Sequence, residues 1–372
     1  MEGTLELPAL GRRMSLGTPY DCRSHQIISP GATLWDQEII SKQKEVSEKK
    51  SHKVTLVWSH TFNDKCKALE VDESLKASIL ADLVQPAGSA KFLSDQPPPE
   101  GTCRLSVHSK ATSVIEKLPI NQLGSCKILN SEVITEGKAT HVVVGILYGS
   151  NTFFIFDKTC GEETKDDCLK SLIPFMNKFR SVPDKGEKST TFDPKEVSDV
   201  ECKVHSDLDV EDCHFDCKAA SKLLREIPDM IKENAVPVKF FLYPLHKLDS
   251  RAARVCKAVS DGLLSQAQEF LEGLERCSAR ASKMAADPLC VDFPQFAEKL
   301  AFFKLMMSEY KTYFQRDFAR VLPSIQGGSD GESVLKDMLQ NATSGTPFKL
   351  AKLDAWLKSK CKELSAGKRK DI

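Results

Sequence analysis

The chain has no excess of either charge: Lys+Arg and Asp+Glu are 52 each in 372 residues. A nucleic-acid surface needs a basic stripe or surplus, so that class of partner is not expected. No apolar run reaches the roughly 20 residues of a transmembrane helix. The opening Met-Glu-Gly-Thr-Leu-Glu lacks the basic and apolar segments of a secretory leader, and Glu2 excludes the N-myristoylation pattern. These signs place the chain in the cytoplasm as synthesised. A Gly-rich phosphate loop, a dinucleotide fingerprint, a zincin helix and Gly-x-Ser-x-Gly are all missing, so no residues support an enzyme. Gly327-Gly328-Ser329-Asp330-Gly331 is Gly-rich but joins two helical patterns, which makes it a connector.

Cysteine is abundant instead. Thirteen cysteines at scattered spacing, without a leader, read as reduced thiols, and Cys66, Cys160 and Cys168 as structural or incidental. Cys202, His205, Cys213 and Cys217 have a spacing that zinc tolerates. Because Cys202–Asp207 reads as a strand edge, no metal is expected there, and no cofactor anywhere.

The organising stretch is Lys138–Asp157, nearly free of charge and rich in β-branched and aromatic residues. Val142, Val143, Val144 and Ile146, then Phe153, Phe154, Ile155 and Phe156, predict a strand. Without strict alternation, both of its faces are expected to be covered. Gly145 and Gly149 interrupt the pattern as bulge or bend positions. One long bent strand and two short strands around Tyr148-Gly149-Ser150-Asn151 both satisfy the pattern; the first is adopted.

Further strands are expected at His52–Phe62, Cys103–Leu118, Val200–Leu208 and Val236–Leu245, another strand or the entry into the organising run at Cys126–Thr135, and a charged mobile or helical connector at Gln37–Lys53. Two segments satisfy two periods at once. In Val71–Phe92, Leu75, Ile79, Leu80, Leu83 and Val84 form a helical stripe. Read as a strand, Ala77, Ile79, Ala81 and Leu83 face one way, and Lys76, Ser78 and Asp82 the other. In Thr164–Arg180, Leu169, Leu172, Ile173, Met176 and Phe179 share a helical face, with Asp166 and Asp167 suited to its N-terminus. As a strand, Leu169, Ile173, Phe175 and Phe179 share a side, although Pro174 removes a ladder donor. An ordinary surface helix would also satisfy the first pattern.

His214–Glu233 predicts a helix, and beyond Asp249 the chain reads as helical almost throughout. Four helices are expected, Ser250–Ala286, Asp292–Leu322, Glu332–Asn341 and Thr346–Leu364, in a bundle with two long members. The breaks fall at Asp287-Pro288, Pro323–Gly331 and Ser344-Gly345.

The lead-in Ala139-Thr140-His141 and the bend Leu147-Tyr148-Gly149 resemble the third core strand of the stonefish toxin (stonustoxin) family. That family falls within the membrane-attack-complex/perforin and cholesterol-dependent cytolysin superfamily. Pro8-Ala9-Leu10-Gly11-Arg12, Leu16-Gly17, Tyr20-Asp21 and Gly88-Ser89-Ala90-Lys91 carry the resemblance elsewhere, in the same order. It implies an α+β fold: a twisted antiparallel core sheet with two flanking helical clusters in residues 1–245, then an all-α bundle resembling a focal-adhesion-targeting domain in 246–372. It further implies pore formation, in which clusters near Lys65–Thr102 and Lys158–Asp199 unfurl into transmembrane β-hairpins as subunits assemble. The partners implied are a lipid membrane and self or a homologous subunit. Leaderless secretion is possible by the same resemblance. Membrane-facing candidates are Ala77, Ile79, Ala81, Leu83, Gly88, Leu169, Ile173, Phe175 and Phe179; hinge candidates are His141, Gly145, Tyr148 and Gly149.

There are departures. Ala87 stands where the family has a glycine, Pro97-Pro98-Pro99 fall at the return of the first hairpin, and Pro174 lies in the second cluster. The family's thioredoxin-like and PRY-SPRY domains have no counterpart in these residues. A non-lytic interaction protein that keeps the fold and docks a partner on its helical domain is the alternative reading.

Overall fold

The computed structural model describes residues 3–58, 61–96, 98, 101–123, 127–161, 164–184, 199–210, 214–255, 257–288, 290, 293–344 and 346–367. Contacts divide it into two units. The first holds Met1–Asp21, Ile27–Asp72 and Gln85–Arg254; the second holds Cys22–Gln26, Glu73–Val84 and Val255–Ile372.

The first unit is built on an antiparallel sheet. Its strands are β1 Leu5–Pro8, β2 Pro19–Asp21, β3 Gln26–Ile27, β4 Glu45–Val57, β5 Thr102–Lys117, β6 His141–Thr159, β7 Val200–Ser206, β8 His214–Phe215 and β9 Val236–Pro244. β6 is one continuous strand of 19 residues, so the two-strand alternative is not what forms. It has neighbours along both edges. β5 pairs with it from Gly145 to Thr159, and β2 at His141–Val142. Along the other edge β9 pairs with His141–Gly149 and β7 with Thr152–Lys158. Phe153, Phe154, Ile155 and Phe156 are each at most 1% exposed, which confirms that both faces are covered.

The bend follows from register. Ladder irregularities lie between Glu48 and Ser51 on β4 and between Thr112 and Ile115 on β5. On β6 they lie between Val143 and Gly145 and between Leu147 and Tyr148. Each bulge bends and twists its strand, and here they fall side by side across neighbouring strands. Gly149 sits on this line. A Cβ there would stand 2.0 Å from the Ala111 carbonyl oxygen and 2.8 Å from Thr112 Cα, so only glycine lets β5 approach.

One face of the sheet carries α6 Lys165–Arg180 and α7 Cys217–Asn234. Leu105, Val107, Phe154, Phe156 and Val204 from the strands share a core with Leu172, Phe175, Met176, Phe179, Leu224 and Ile227 from those helices. The smaller helices of this unit are α1 Gln37–Gln43, α2 Phe62–Ala68, α4 Ile120–Leu123 and α5 Glu132–Thr135, while α3 Glu73–Leu80 falls in the second unit.

Several expectations need correction. Residues 45–53 are strand, not connector; the exposed charges of Glu45–Lys50 suit an edge strand, and Lys44 pairs with Glu116 of β5 at 2.7 Å. Among the described residues of 126–135 there is no strand, and Glu132–Thr135 is helical. Pro97 and Pro99, Cys126, Cys213, most of residues 181–195 and Lys368–Lys370 lie outside the described residues.

The second unit contains the four expected helices, α8 Asp261–Ala285, α9 Pro294–Gly327, α10 Ser333–Ser344 and α11 Leu350–Gly367. α8 starts eleven residues later than predicted from Ser250, and Val255 ahead of it is 38% exposed. α9 runs through Pro323 and ends at Gly328, whose left-handed φ of 79° caps it. Phe270 of α8 meets Phe314 of α9 edge-on, with ring centroids 5.0 Å apart.

Replacing Gly149 by valine puts side-chain atoms into β5 backbone that cannot rotate away. Overpacking costs about 1–3 kcal/mol where side chains can give, so at least the upper end is expected for Gly149→Val in urea denaturation. A loss under about 1 kcal/mol would contradict the close approach.

Candidate functional site

The two connections of interest leave the sheet at matching places. Residues 58–101 join β4 to β5, and residues 160–199 join β6 to β7. β4 pairs β5, β5 pairs β6 and β6 pairs β7, all antiparallel. Both connections are therefore inserted at ends of adjacent hairpins, and any strand formed in them would continue this ladder.

The first connection holds α2, α3 and a 3-10 segment, Gly88–Ser94. The 3-10 segment is held to the sheet by two sets of contacts. Phe92 stacks on Phe153 at 4.1 Å, and His108 stacks on Phe153 at 4.2 Å. Beyond it, the Asp95 carboxylate, its side chain 2% exposed, accepts from Arg104 Nη1 at 2.7 Å and from Lys203, and lies 3.3 Å from His205 Nε2. Arg104 donates through Nε and Nη2 to both oxygens of Asp157, each at 2.6 Å. Burial alone would raise the Asp95 pKa, but His205, Lys203 and Arg104 outweigh it and hold this carboxyl well below the usual range. Lys65 of α2 caps the Asp95 carbonyl at 2.7 Å.

Gly88 lies at a second clasp. The Asp207 carboxylate accepts from Ser89 N at 2.9 Å and from Asn151 N at 2.8 Å. A Cβ on Gly88, whose φ is +59°, would stand 2.8 Å from Asp207 Oδ1. Burial raises the Asp207 pKa against these hydrogen bonds.

α3 belongs to the second unit, where it contacts α8 and α9. Ser74 Oγ donates to Gln326 Oε1 at 2.7 Å, and Gln315 Nε2 donates to the Leu80 carbonyl at 3.0 Å. Ala77 and Ala81 are buried, while Ile79 and Leu83 are half-buried. Of the polar strand-face set, Asp82 is exposed but Lys76 and Ser78 are buried. α3 is thus covered on more than one side, unlike an ordinary surface helix. Ser78 Oγ, fully buried, finds no hydrogen-bond partner among the described residues, a defect worth about 1–3 kcal/mol.

The second connection holds α6, capped by Thr164, whose Oγ1 accepts from Asp167 N at 3.3 Å. Phe175 and Phe179 are buried, and Leu169 and Ile173 half-buried. Phe156 meets Phe175 and Phe179 edge-on at 5.4 and 4.9 Å, and Phe154 meets Phe179 at 5.2 Å. Pro174 is accommodated inside the helix and faces solvent.

Of the hinge candidates, Gly145, Tyr148 and Gly149 fall on the bulge line; His141 starts β6, away from it, with Nδ1 2.9 Å from Thr140 Oγ1. Tyr148 donates to Glu116 at 3.1 Å, and burial with that carboxylate raises its pKa to about 12. Burial lowers His108 and His141 to about 4. In the expected cysteine cluster, Cys202 is buried and His205 is engaged with Asp95. Sequence reasoning missed Asp95, Arg104, Asp157, Lys203 and Asp207; only the register that sets Arg104 opposite Asp157 could have revealed them.

Two predictions follow from the clamp. Asp95→Asn leaves Arg104 and Lys203 short of a buried counter-charge. It should cost about 3 kcal/mol and open residues 88–96 to limited proteolysis; unchanged stability would contradict the clamp. Protons act through His108 and His141. Their folded pKa values lie below 6.5, so the unfolded chain binds more protons between about 6.5 and 4 and stability falls on acidification through that window. Asp207, raised, works in the opposite direction. His108→Gln should flatten the slope of unfolding free energy against pH by up to about 1.4 kcal/mol per pH unit; an unaltered slope would exclude His108.

Comparison with known proteins agrees with this geometry. Residues 4–252 match the SNTX, MACPF/CDC-like domain family, and residues 269–365 the stonustoxin helical domain. Verrucotoxin subunit beta of Synanceia verrucosa is 30% identical over 366 residues, covering 97% of this chain and 52% of that protein. Cytolytic toxin-alpha of Scorpaena plumieri is 27% identical over 372 residues, 98% of this chain and 53% of that protein. The stonustoxin structure superposes with a TM-score of 0.69 at 23% identity, covering 97% of this chain and 47% of that one. The chain spans about half the length of the curated relatives it matches.

Proposed function

The chain belongs to the stonustoxin family, with its SNTX, MACPF/CDC-like domain and helical domain, and from that premise we propose that it is a subunit of a membrane pore. Assembly is with further copies of itself or with a homologous subunit. The names of the relatives support this: they include alpha and beta subunits and a cytolytic toxin. The domain limits proposed are 1–245 and 246–372.

The single observation that carries the reading is topological. Both helical connections are inserted at hairpin ends of the adjacent strands β4–β5–β6–β7. Extending each into a hairpin lengthens an existing sheet without re-pairing any strand. Each supplies more than the roughly 20 residues that two membrane-crossing strands need. Among the described residues no helix is long and apolar enough to cross a membrane, and that bears only on helices. An isolated hairpin would leave backbone groups unpaired in hydrocarbon, so insertion requires a closed barrel contributed by many subunits.

In this mechanism Ala77, Ile79, Ala81 and Leu83 form a lipid face in the first hairpin, and Leu169, Ile173, Phe175 and Phe179 in the second. Gly88 gives up the Asp207 clasp as the first hairpin extends. Gly145, Tyr148 and Gly149 are the bend over which the sheet straightens, with His141 at its base. The prolines at 97–99 and 174 speak for the non-lytic reading, whereas the names of the relatives do not favour it.

Dye release from liposomes tests it. The folded chain should release dye, and a disulfide pinning the Gly88–Ser94 segment to β7 should abolish release until it is reduced. Absence of release from a folded chain across anionic, zwitterionic and sterol-containing vesicles, alone and mixed with a homologous subunit, would overturn the proposal.

A further inference from the structure

Three cysteines meet at the root of the second connection. Cys103 is the second residue of β5, Cys160 follows the last residue of β6, and Cys168 lies in the first half of α6. They are 4%, 5% and 0% exposed. Their three Sγ atoms all lie within 4.8 Å of one another, and Cys103 and Cys168 are 2.8 Å apart. Non-bonded heavy atoms ordinarily rest at about 3.5–4.0 Å, so this pair is already closer than packing alone requires.

The backbone fixes the convergence. Cys103 pairs with Lys158 in the β5–β6 ladder, Cys160 N donates to the Gly101 carbonyl at 2.8 Å, and Cys168 N donates to the Thr164 carbonyl at 3.0 Å. All three sulfurs are thus delivered by ordered main chain from three separate elements. Burial raises all three thiols above their ordinary value, against the positive charge of Lys158 and Lys165, so a cation must displace protons to bind; Lys158 also donates to Ser171 at 2.7 Å.

We propose that Cys103, Cys160 and Cys168 form a binding site for a thiophilic d10 cation, copper(I). Three soft ligands suit it. No fourth His, Cys, Asp or Glu joins the group among the described residues, whereas structural zinc takes four ligands. Soft thiolates favour copper(I), which accepts three sulfurs. With metal–sulfur bonds of about 2.3 Å, sulfurs in a trigonal set sit roughly 4 Å apart. The short Cys103–Cys168 edge, at 2.8 Å, must open by about 1 Å to match, within the range of small side-chain rotations, and no edge exceeds 4.8 Å. Binding converts thiols to thiolates and releases their protons to solvent; no electron is transferred.

The consequence rests on the reading above, since an occupied site would tie α6 to β5 and β6 where the second hairpin must begin. The site itself does not depend on pore formation, and its test involves no leakage. Reduced full-length chain, prepared without oxygen, is titrated with copper(I) against the chromophoric chelator bicinchoninate. The chain should withhold one equivalent. Cys103→Ser and Cys168→Ser should each weaken retention at least tenfold, while Cys361→Ser, at an exposed cysteine, should leave it unchanged. X-ray absorption on the unmutated chain should show three sulfurs at about 2.3 Å, which keeps the test valid if a variant misfolds. Failure to withhold copper, retention by a folded Cys168→Ser variant, or a Cys103–Cys168 disulfide in the chain as purified would each overturn the proposal.

Discussion

Everything in the first unit depends on β6 being buried on both faces and paired along both edges. A strand in that position cannot shift register without moving its whole side-chain set from one face to the other. Its consecutive residues Phe153 and Phe154 point to opposite sides and serve different helical segments. Phe153 holds Phe92 of the first connection, and Phe154 holds Phe179 of the second. The two segments are therefore referred to one rigid element, and β6 can supply an anchor for each without moving.

The same strand is bent, and the bend depends on main-chain contact. Gly149 brings β5 so close that no side chain fits between them. Bulges on the neighbouring strands lie alongside, so curvature belongs to the sheet and not to one strand. A curved sheet with covered faces can hold short helical segments in its lee. The clamps that do so are polar and local: a buried ionic cluster at Asp95 and a carboxylate clasp at Asp207. Breaking such a cluster is costly while it stays dry, and the cost drops once water enters and solvates the freed charges.

How far the sequence revealed this follows the range of the interactions. β6 was legible because its pattern is local and long, and its glycines marked the bend. The helical face of α6 was legible from its 3.6-residue period. β4 was misread because an edge strand with Glu45, Glu48, Lys49 and Lys50 has the composition of a connector. The extent of α9 was misread because Pro323 lies in the last two turns, where the helix carries on past it to a glycine cap. The Asp95–Arg104–Asp157–Lys203 cluster was invisible, since its members are distant in sequence and meet only through ladder register. The three converging cysteines were hidden for the same reason, and spacing drew attention to Cys202 and Cys217 instead.

The two connecting segments are restrained differently. α6 is held by aromatic rings from β6 and by the core it shares with α7, all within the sheet-containing unit. α3 is held by α8 and α9, through Gln315 and Gln326 in particular. Release of α3 therefore requires a change in the helical bundle, whereas release of α6 requires one at the sheet face. The helical domain is then part of the restraint on the first segment and not a passive appendage.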